Sequence, residues 1–284
     1  MREIMIENDK KWVGIRTDLA LEEQERFQED HVEIHGIEVH EWKREQEGIR
    51  ISQVIVKTEE GAVAMGKPVG RYLTLEAPKL AAKDDDFHKE VTRSLAEQIL
   101  DLLKLHHVEN TPILVVGLGN QDATPDALGP KVLEHLQVTR QLALEYGTEF
   151  CEKHGYPILS GLTPGVMART GMETAEIIKG VIKETRPGVV IVVDALAARS
   201  VQRLGVTIQL ADTGIHPGSG VGNHRNSLTE DVLGIPVLAL GVPTVIEISE
   251  PEFGPMYVTP HNIDERVEML SYTISEAIHE ALFR

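Results

Sequence analysis

The chain has a single cysteine, Cys151. An internal disulfide is therefore excluded, and a reducing, cytosolic setting is expected. It has no apolar run near the roughly 18–20 residues that span a bilayer, so no membrane partner is expected. The opening stretch, MREIMIENDKKW, lacks the apolar core of a secretory signal. Positive charge is scarce, with 28 Lys and Arg against 45 Asp and Glu and a net charge of −17. A surface of that sign repels phosphate backbones, so direct nucleic-acid binding is not expected.

Several motifs are absent as well. In GLGN the glycines Gly117 and Gly119 suggest a dinucleotide-binding turn, but the third glycine falls on Asp122, an anion where a pyrophosphate would lie. Around Ser219 a nucleophile elbow would need glycine at Pro217 and at Val221. His31, His35 and His40 lie in a strand-like region without helical ligand spacing, which reads as a solvated strand face. Cys151, in the polar stretch EFCEKHGY, reads as an incidental thiol.

What is present is an alternation of periods. Residues 1–30 are polar and mixed in charge, and read as an arm. Residues 31–76 carry β signals, and 88–107 switch to a helical stripe of Val91, Leu95, Ile99, Leu102 and Leu103. The rest reads as strand–loop–helix repeated: strands at PILVVGL, PILSGLTP, VVIVVD, VTIQLAD and IPVLALGV, with helices over 129–145 and 171–185. The last helix is expected to take Thr259 as N-cap and Pro260 as its first residue, burying Ile263, Val267, Leu270, Ile274 and Ile278. Continuous apolar strands between helices predict an α/β three-layer sandwich, phosphorylase/hydrolase-like, its mostly parallel or mixed sheet covered by helices.

In such sheets the site lies beyond the carboxyl ends of the strands. Two aspartates are expected there, Asp126 of TPDALGP and Asp194 of VVDALAARS. Two close carboxylates cannot both ionise cheaply, so one holds a proton while the other acts as base toward water. Asn120, in the loop before Asp126, and the glycine-rich loop His216, Gly218, Ser219 and Gly220 are the expected supports.

At this point the motifs become specific. VVGLGN…TPDALGP, PGVMARTGMET, VVDALAARS, DTGIHPGSGVGNHR and LGIPVLALGVPTV, in this order, resemble the germination proteases of spore-forming Firmicutes. The resemblance implies an atypical aspartic endopeptidase of the forespore or spore-core cytoplasm that degrades small acid-soluble spore proteins. It implies catalytic roles for Asp126 and Asp194, a homotetramer, and a fold similar to hydrogenase-maturation endopeptidases. No cofactor is expected. A divalent metal stays open as an alternative, its ligands then being Asp126, Asp194 and His216, in a metal-dependent maturation peptidase that trims one partner protein. A non-enzymatic scaffold is disfavoured by the presence of both aspartates. Members of the family are longer between the strand that ends near Val242-Pro243 and the last helix, where this chain has only IEISEPEFGPM.

The resemblance also implies a zymogen. Asp18, Leu19 and Ala20 present the acid–hydrophobic–alanine order of the family's cleavage sites, although Ile15 stands where substrates offer an acid. Self-processing between Asp18 and Leu19 is expected, dividing a propeptide, 1–18, from a single α/β protease domain, 19–284. Residues 1–18 are expected to be an accessible arm.

Overall fold

The apolar strands of the second half form the middle of one mixed sheet. The structure, a computed structural model, describes residues 16–29, 31, 34–44, 48–216, 226–250 and 254–283. Among these, the strands are β1 (Ile37–Arg44), β2 (Ile49–Val56), β3 (Gly70–Glu76), β4 (Ile113–Gly117), β5 (Leu159–Leu162), β6 (Val189–Ala198), β7 (Thr207–Ala211), β8 (Val237–Glu250) and β9 (Gly254–Val258). Their order is β1-β2-β3-β7-β8-β6-β4-β5, with β9 paired to β8. The strands β8, β6, β4 and β5 run parallel, whereas β1, β2, β3, β7 and β9 join antiparallel. The helices are α1 (Ala20–Glu29), α2 (Glu59–Met65), α3 (Asp85–Leu105), α4 (Leu128–His135), α5 (Arg140–Tyr146), α6 (Thr148–His154), α7 (Met167–Thr170), α8 (Thr174–Thr185), α9 (Glu230–Leu233) and α10 (Ile263–Leu282).

Alternation along the strands assigns the two faces. Val189, Ile191 and Val193 of β6 join Ile113 and Val115 of β4 and Leu238 and Leu240 of β8 beneath α3, α4 and α10. Val190, Val192, Leu114 and Val116 turn the other way, onto Ala175 and Ile178 of α8 and Leu233 of α9. On that second face the antiparallel end is covered by α1 and α2, through Ala20, Leu21 and Met65. Helix, sheet and helix make three layers, an α/β sandwich. Each fully buried Val, Ile or Leu contributes about 1.5–3 kcal/mol. The predicted stripe of α10 is buried at all five positions.

Three expectations are corrected. The helix expected over 129–145 is interrupted between His135 and Arg140. Thr139 is fully buried there; its N–H donates to Leu159 O at 2.9 Å and its hydroxyl to Pro157 O, so these residues serve the edge of β5. Thr259 does not cap α10. Its hydroxyl donates to Thr244 O of β8 at 2.8 Å, and the helix starts after Asn262.

The arm is also not an arm throughout. Leu19 and Ala20 are 0% exposed and Leu21 1%, and α1 follows at once. One apolar turn suffices because carboxylates fasten it. Glu22 accepts the N–H groups of Arg199 (2.7 Å) and Ser200 (2.9 Å), and the Thr17 hydroxyl also donates to it. Arg203 closes the cluster, reaching Glu25 at 2.8 and 2.9 Å and Glu76 at 3.1 Å, with Glu22 at 3.4 Å. Arg203→Met leaves these acids without their cation. Breaking a buried pair costs about 3–5 kcal/mol, and the partial exposure of Glu25 and Glu76 reduces that to about 2 kcal/mol. A chemical-denaturation midpoint reads this directly, and an unchanged midpoint contradicts it.

Candidate active site

The strand β6 does not end at Asp194. It runs on to Ala198 beside β8, while β4 stops, its last residue Gly117 lying opposite Val193. The Leu118 N–H donates to Val193 O at 2.8 Å as β4 leaves. From there the edge of β6 is open, and Asp194, 6% exposed, is the first residue beyond the junction. Its Oδ1 accepts the Ala195 N–H at 2.9 Å.

The chain leaving β4 folds back into a 3₁₀ turn, Thr124–Asp126, packed against β6 and β8. Gly119 permits this. Its φ is +116°, and a Cβ there would lie 1.9 Å from Asp126 O. The Asn120 N–H donates to Asp126 Oδ2 at 2.8 Å, and the Thr244 hydroxyl of β8 holds Pro125 O at 2.7 Å. Asn120 therefore supports Asp126 through its backbone, while its side chain accepts the Asp122 N–H. Asp122 itself pairs with Arg169 after α7 begins. Immediately below, Gly129 of α4 lies against the backbone of Leu118 and Val193, tying that helix to the β4–β6 junction.

The vacated edge of β6 is taken by the segment Arg16–Ala20. The Asp18 N–H donates to Ala197 O at 2.9 Å, and the Ala197 N–H donates to Asp18 Oδ2 at 2.9 Å. Ala197 has the strand parity of Val193, whose carbonyl faced β4, so the segment continues where β4 left off. Leu19 enters a pocket of Leu196, Ala198, Leu204 and Ile246. The Asp18 carbonyl oxygen accepts from Lys67 Nζ at 2.9 Å and from Gln209 Nε2 at 3.1 Å. Gln209 also accepts the Ala20 N–H through Oε1 at 2.8 Å.

Register places Gln209 of β7 opposite Gly241 of β8, and Gly241 opposite Asp194. The three residues form a row on one face. With strands about 4.8 Å apart, the outer two Cα atoms are about 10 Å apart, a span that their side chains and one peptide group fill.

Lys67 follows the left-handed C-cap Gly66 of α2. Burial pushes its ammonium below the usual lysine range, opposed by Asp18, Glu23 and Glu22. His216 is exposed overall, yet loss of water around the ring and the nearby Lys67 charge hold its imidazole below the usual range, with Asp18 opposing. Gly218, Ser219 and Gly220 lie outside the described residues.

Among the described residues no group of three or more His, Cys, Asp or Glu side chains has metal-holding geometry. Asp126, Asp194 and His216 are not brought together as such a group. Cys151, read as lying in polar surroundings, is buried in α6. Sequence reasoning missed Lys67 and Gln209. A lysine in a Gly-Lys-Pro turn looks solvated; the one available signal was a glutamine at an inward position of the apolar strand VTIQLAD.

Comparison with known proteins follows the same residues. A peptidase family model described as germination protease matches residues 15–252. The germination protease of Caldanaerobacter subterraneus subsp. tengcongensis is 48% identical over 239 residues, 83% of this chain and 70% of that one. That of Clostridium tetani is 37% identical over 315 residues, 95% of this chain and 96% of that one. For the germination protease of Bacillus subtilis the figures are 48% over 238 residues, 82% and 63%, so this chain spans under two thirds of the Bacillus protein. Among solved structures, a [NiFe] hydrogenase maturation protease from Thermococcus kodakarensis aligns with 63% of this chain and 97% of its own, at 21% identity and a TM-score of 0.37. By the span of the family match and by the level of identity, the chain belongs to the germination protease family, a family of peptidases.

Proposed function

We propose that this peptidase is an endopeptidase that initiates degradation of small acid-soluble spore proteins during germination, in the forespore or spore core. It cuts after Glu or Asp and before a hydrophobic residue, and it is made as a zymogen that cuts itself between Asp18 and Leu19. The observation that carries this reading is the docked Asp18–Leu19–Ala20 segment. An acid–hydrophobic–alanine sequence lies along the edge of β6 at Ala197, three residues on from Asp194, its leucine in an apolar pocket and its aspartate carboxylate on a backbone N–H. The bond is fastened to the sheet as a substrate would be, which replaces the expectation of an exposed arm.

In this reading Asp126 and Asp194 act as a pair. One carboxyl holds a proton while the other takes a proton from water, which adds to the Asp18 carbonyl carbon; the held proton goes to the Leu19 nitrogen as the C–N bond breaks. The products are a chain beginning at Leu19 and the released segment 1–18. His216 stands near enough to Lys67 and Asp18 to feel both charges. The family's tetramer is part of the proposal, supported by the exposed apolar residues Met256, Tyr257 and Val258 on β9.

Intact mass tests the reading. Full-length protein held at mildly acidic pH is expected to lose residues 1–18, equally fast with or without a strong chelator, and Asp194→Asn is expected to stay full length. Trimming that persists in Asp194→Asn refutes self-cleavage. Trimming that stops in chelator favours the metal-dependent peptidase instead.

A further inference from the structure

The Asp18 carbonyl is held more firmly than a structural turn requires. Its oxygen receives two side-chain donors from two separate elements, Lys67 Nζ at 2.9 Å after α2 and Gln209 Nε2 at 3.1 Å from β7. The segment already has independent anchors: the paired hydrogen bonds of Asp18 with Ala197, the Leu19 pocket, and the Glu22 carboxylate on Arg199 and Ser200. Removing either donor would leave those in place. Gln209 is fixed further because its Oε1 accepts the Ala20 N–H, which aims Nε2 at the carbonyl one peptide back. The amide therefore cannot turn over without losing that bond. Donors about 2.7–3.1 Å from the position of a developing oxyanion, held rigidly and out of water, are what stabilises the tetrahedral stage of acyl transfer.

We infer that Lys67 and Gln209 polarise the Asp18 carbonyl and hold its oxyanion during cleavage of the Asp18–Leu19 bond. The inference rests on the self-processing proposed above and assigns it two further catalytic residues. Water adds to the carbonyl carbon, and the electron pair of the C=O bond moves to the oxygen between Lys67 and Gln209. The pair then returns as the bond to the Leu19 nitrogen breaks and that nitrogen takes a proton. Asp194 stands across Gly241 from Gln209 in register, so water activated on the Asp194 side and the oxyanion on the Gln209 side meet the same peptide from opposite ends of one row. Gly241 suits this place, since a Cβ there would strike the Leu196 side chain that walls the Leu19 pocket.

The test compares self-processing rates of the full-length wild type, Lys67→Met and Gln209→Glu by intact mass, alongside amide hydrogen exchange over residues 16–22. Glu at 209 keeps the acceptor for the Ala20 N–H and removes the donor. Each variant is expected to process about 10²-fold more slowly, with protection of residues 16–22 within a few-fold of wild type. Processing at the wild-type rate overturns the inference. So does a rate loss matched by an equal loss of protection, because the two residues then only anchor the segment. A wild type that never processes is a different failure: it sinks the self-cleavage reading itself.

Discussion

Asp194→Asn and Asp126→Asn are each expected to lose peptide cleavage by about 10⁴-fold or more while keeping the wild-type fold. The fold is spared because asparagine preserves shape and an acceptor oxygen. At 194 that oxygen still takes the Ala195 N–H, and at 126 it still takes the Asn120 N–H. The chemistry is not spared, because an amide neither holds nor takes the proton that water must lose. Removing a general acid or base costs about 10²–10⁴-fold, and more when two groups act as one unit. Non-additivity is the sharper expectation: the double variant should be little worse than either single one. Kinetics on a peptide with an acid–hydrophobic–alanine core measure this, and circular dichroism checks the fold. A single variant with near wild-type turnover contradicts the two-aspartate chemistry.

Gly129→Ala is expected to destabilise the fold through the junction of β4 and β6 by about 3 kcal/mol. A Cβ at this position would stand 2.3 Å from Leu118 O, 2.5 Å from Leu118 N and 2.6 Å from Val193 O. All three are backbone atoms, and the last two are the partners of the hydrogen bond through which β4 leaves the sheet. No rotamer relieves such a contact. Either α4 lifts off Gly117, whose own Cβ position faces Gly129 O at 2.3 Å, or the strands part. Overpacking in cores typically costs about 1–3 kcal/mol, and backbone obstacles put this case at the upper end. Because Asp194 follows Val193, activity should fall along with stability. Urea unfolding with an unchanged slope and a lowered midpoint is the expected result; a loss below about 1 kcal/mol contradicts this account of α4 packing.

The layered fold was legible because its signals are local. The stretches VVIVV and ILVVG are apolar at every position, which only a doubly covered sheet accommodates, and the α10 stripe repeats at helical spacing. The two aspartates were legible for the same reason, being polar residues just past apolar runs. What the sequence hid depends on pairing between distant segments. That β6 outlasts β4 is a property of register, invisible in VVDALAA itself, and it is what opens an edge for Asp18 to occupy. The burial of Leu19 rests on Glu22 finding the N–H groups of Arg199 and Ser200, a contact between residues far apart in the chain. Thr259 looked like an N-cap because its local sequence fits one, and only β8 beside it shows where its hydroxyl goes. Lys67 was hidden most completely, since nothing near it in the chain marks a lysine that ends on the Asp18 carbonyl.

The central claim is that the aspartates at the β4–β6 junction make this chain an acid-directed endopeptidase. The most direct measurement is mass spectrometry of the fragments formed when a purified small acid-soluble spore protein is incubated with the wild-type protein and, in parallel, with Asp194→Asn. The account predicts wild-type fragments whose ends lie after Glu or Asp and before a hydrophobic residue, and an intact substrate with the variant. Identical fragments from both proteins, or wild-type cuts that ignore the acid, would contradict it.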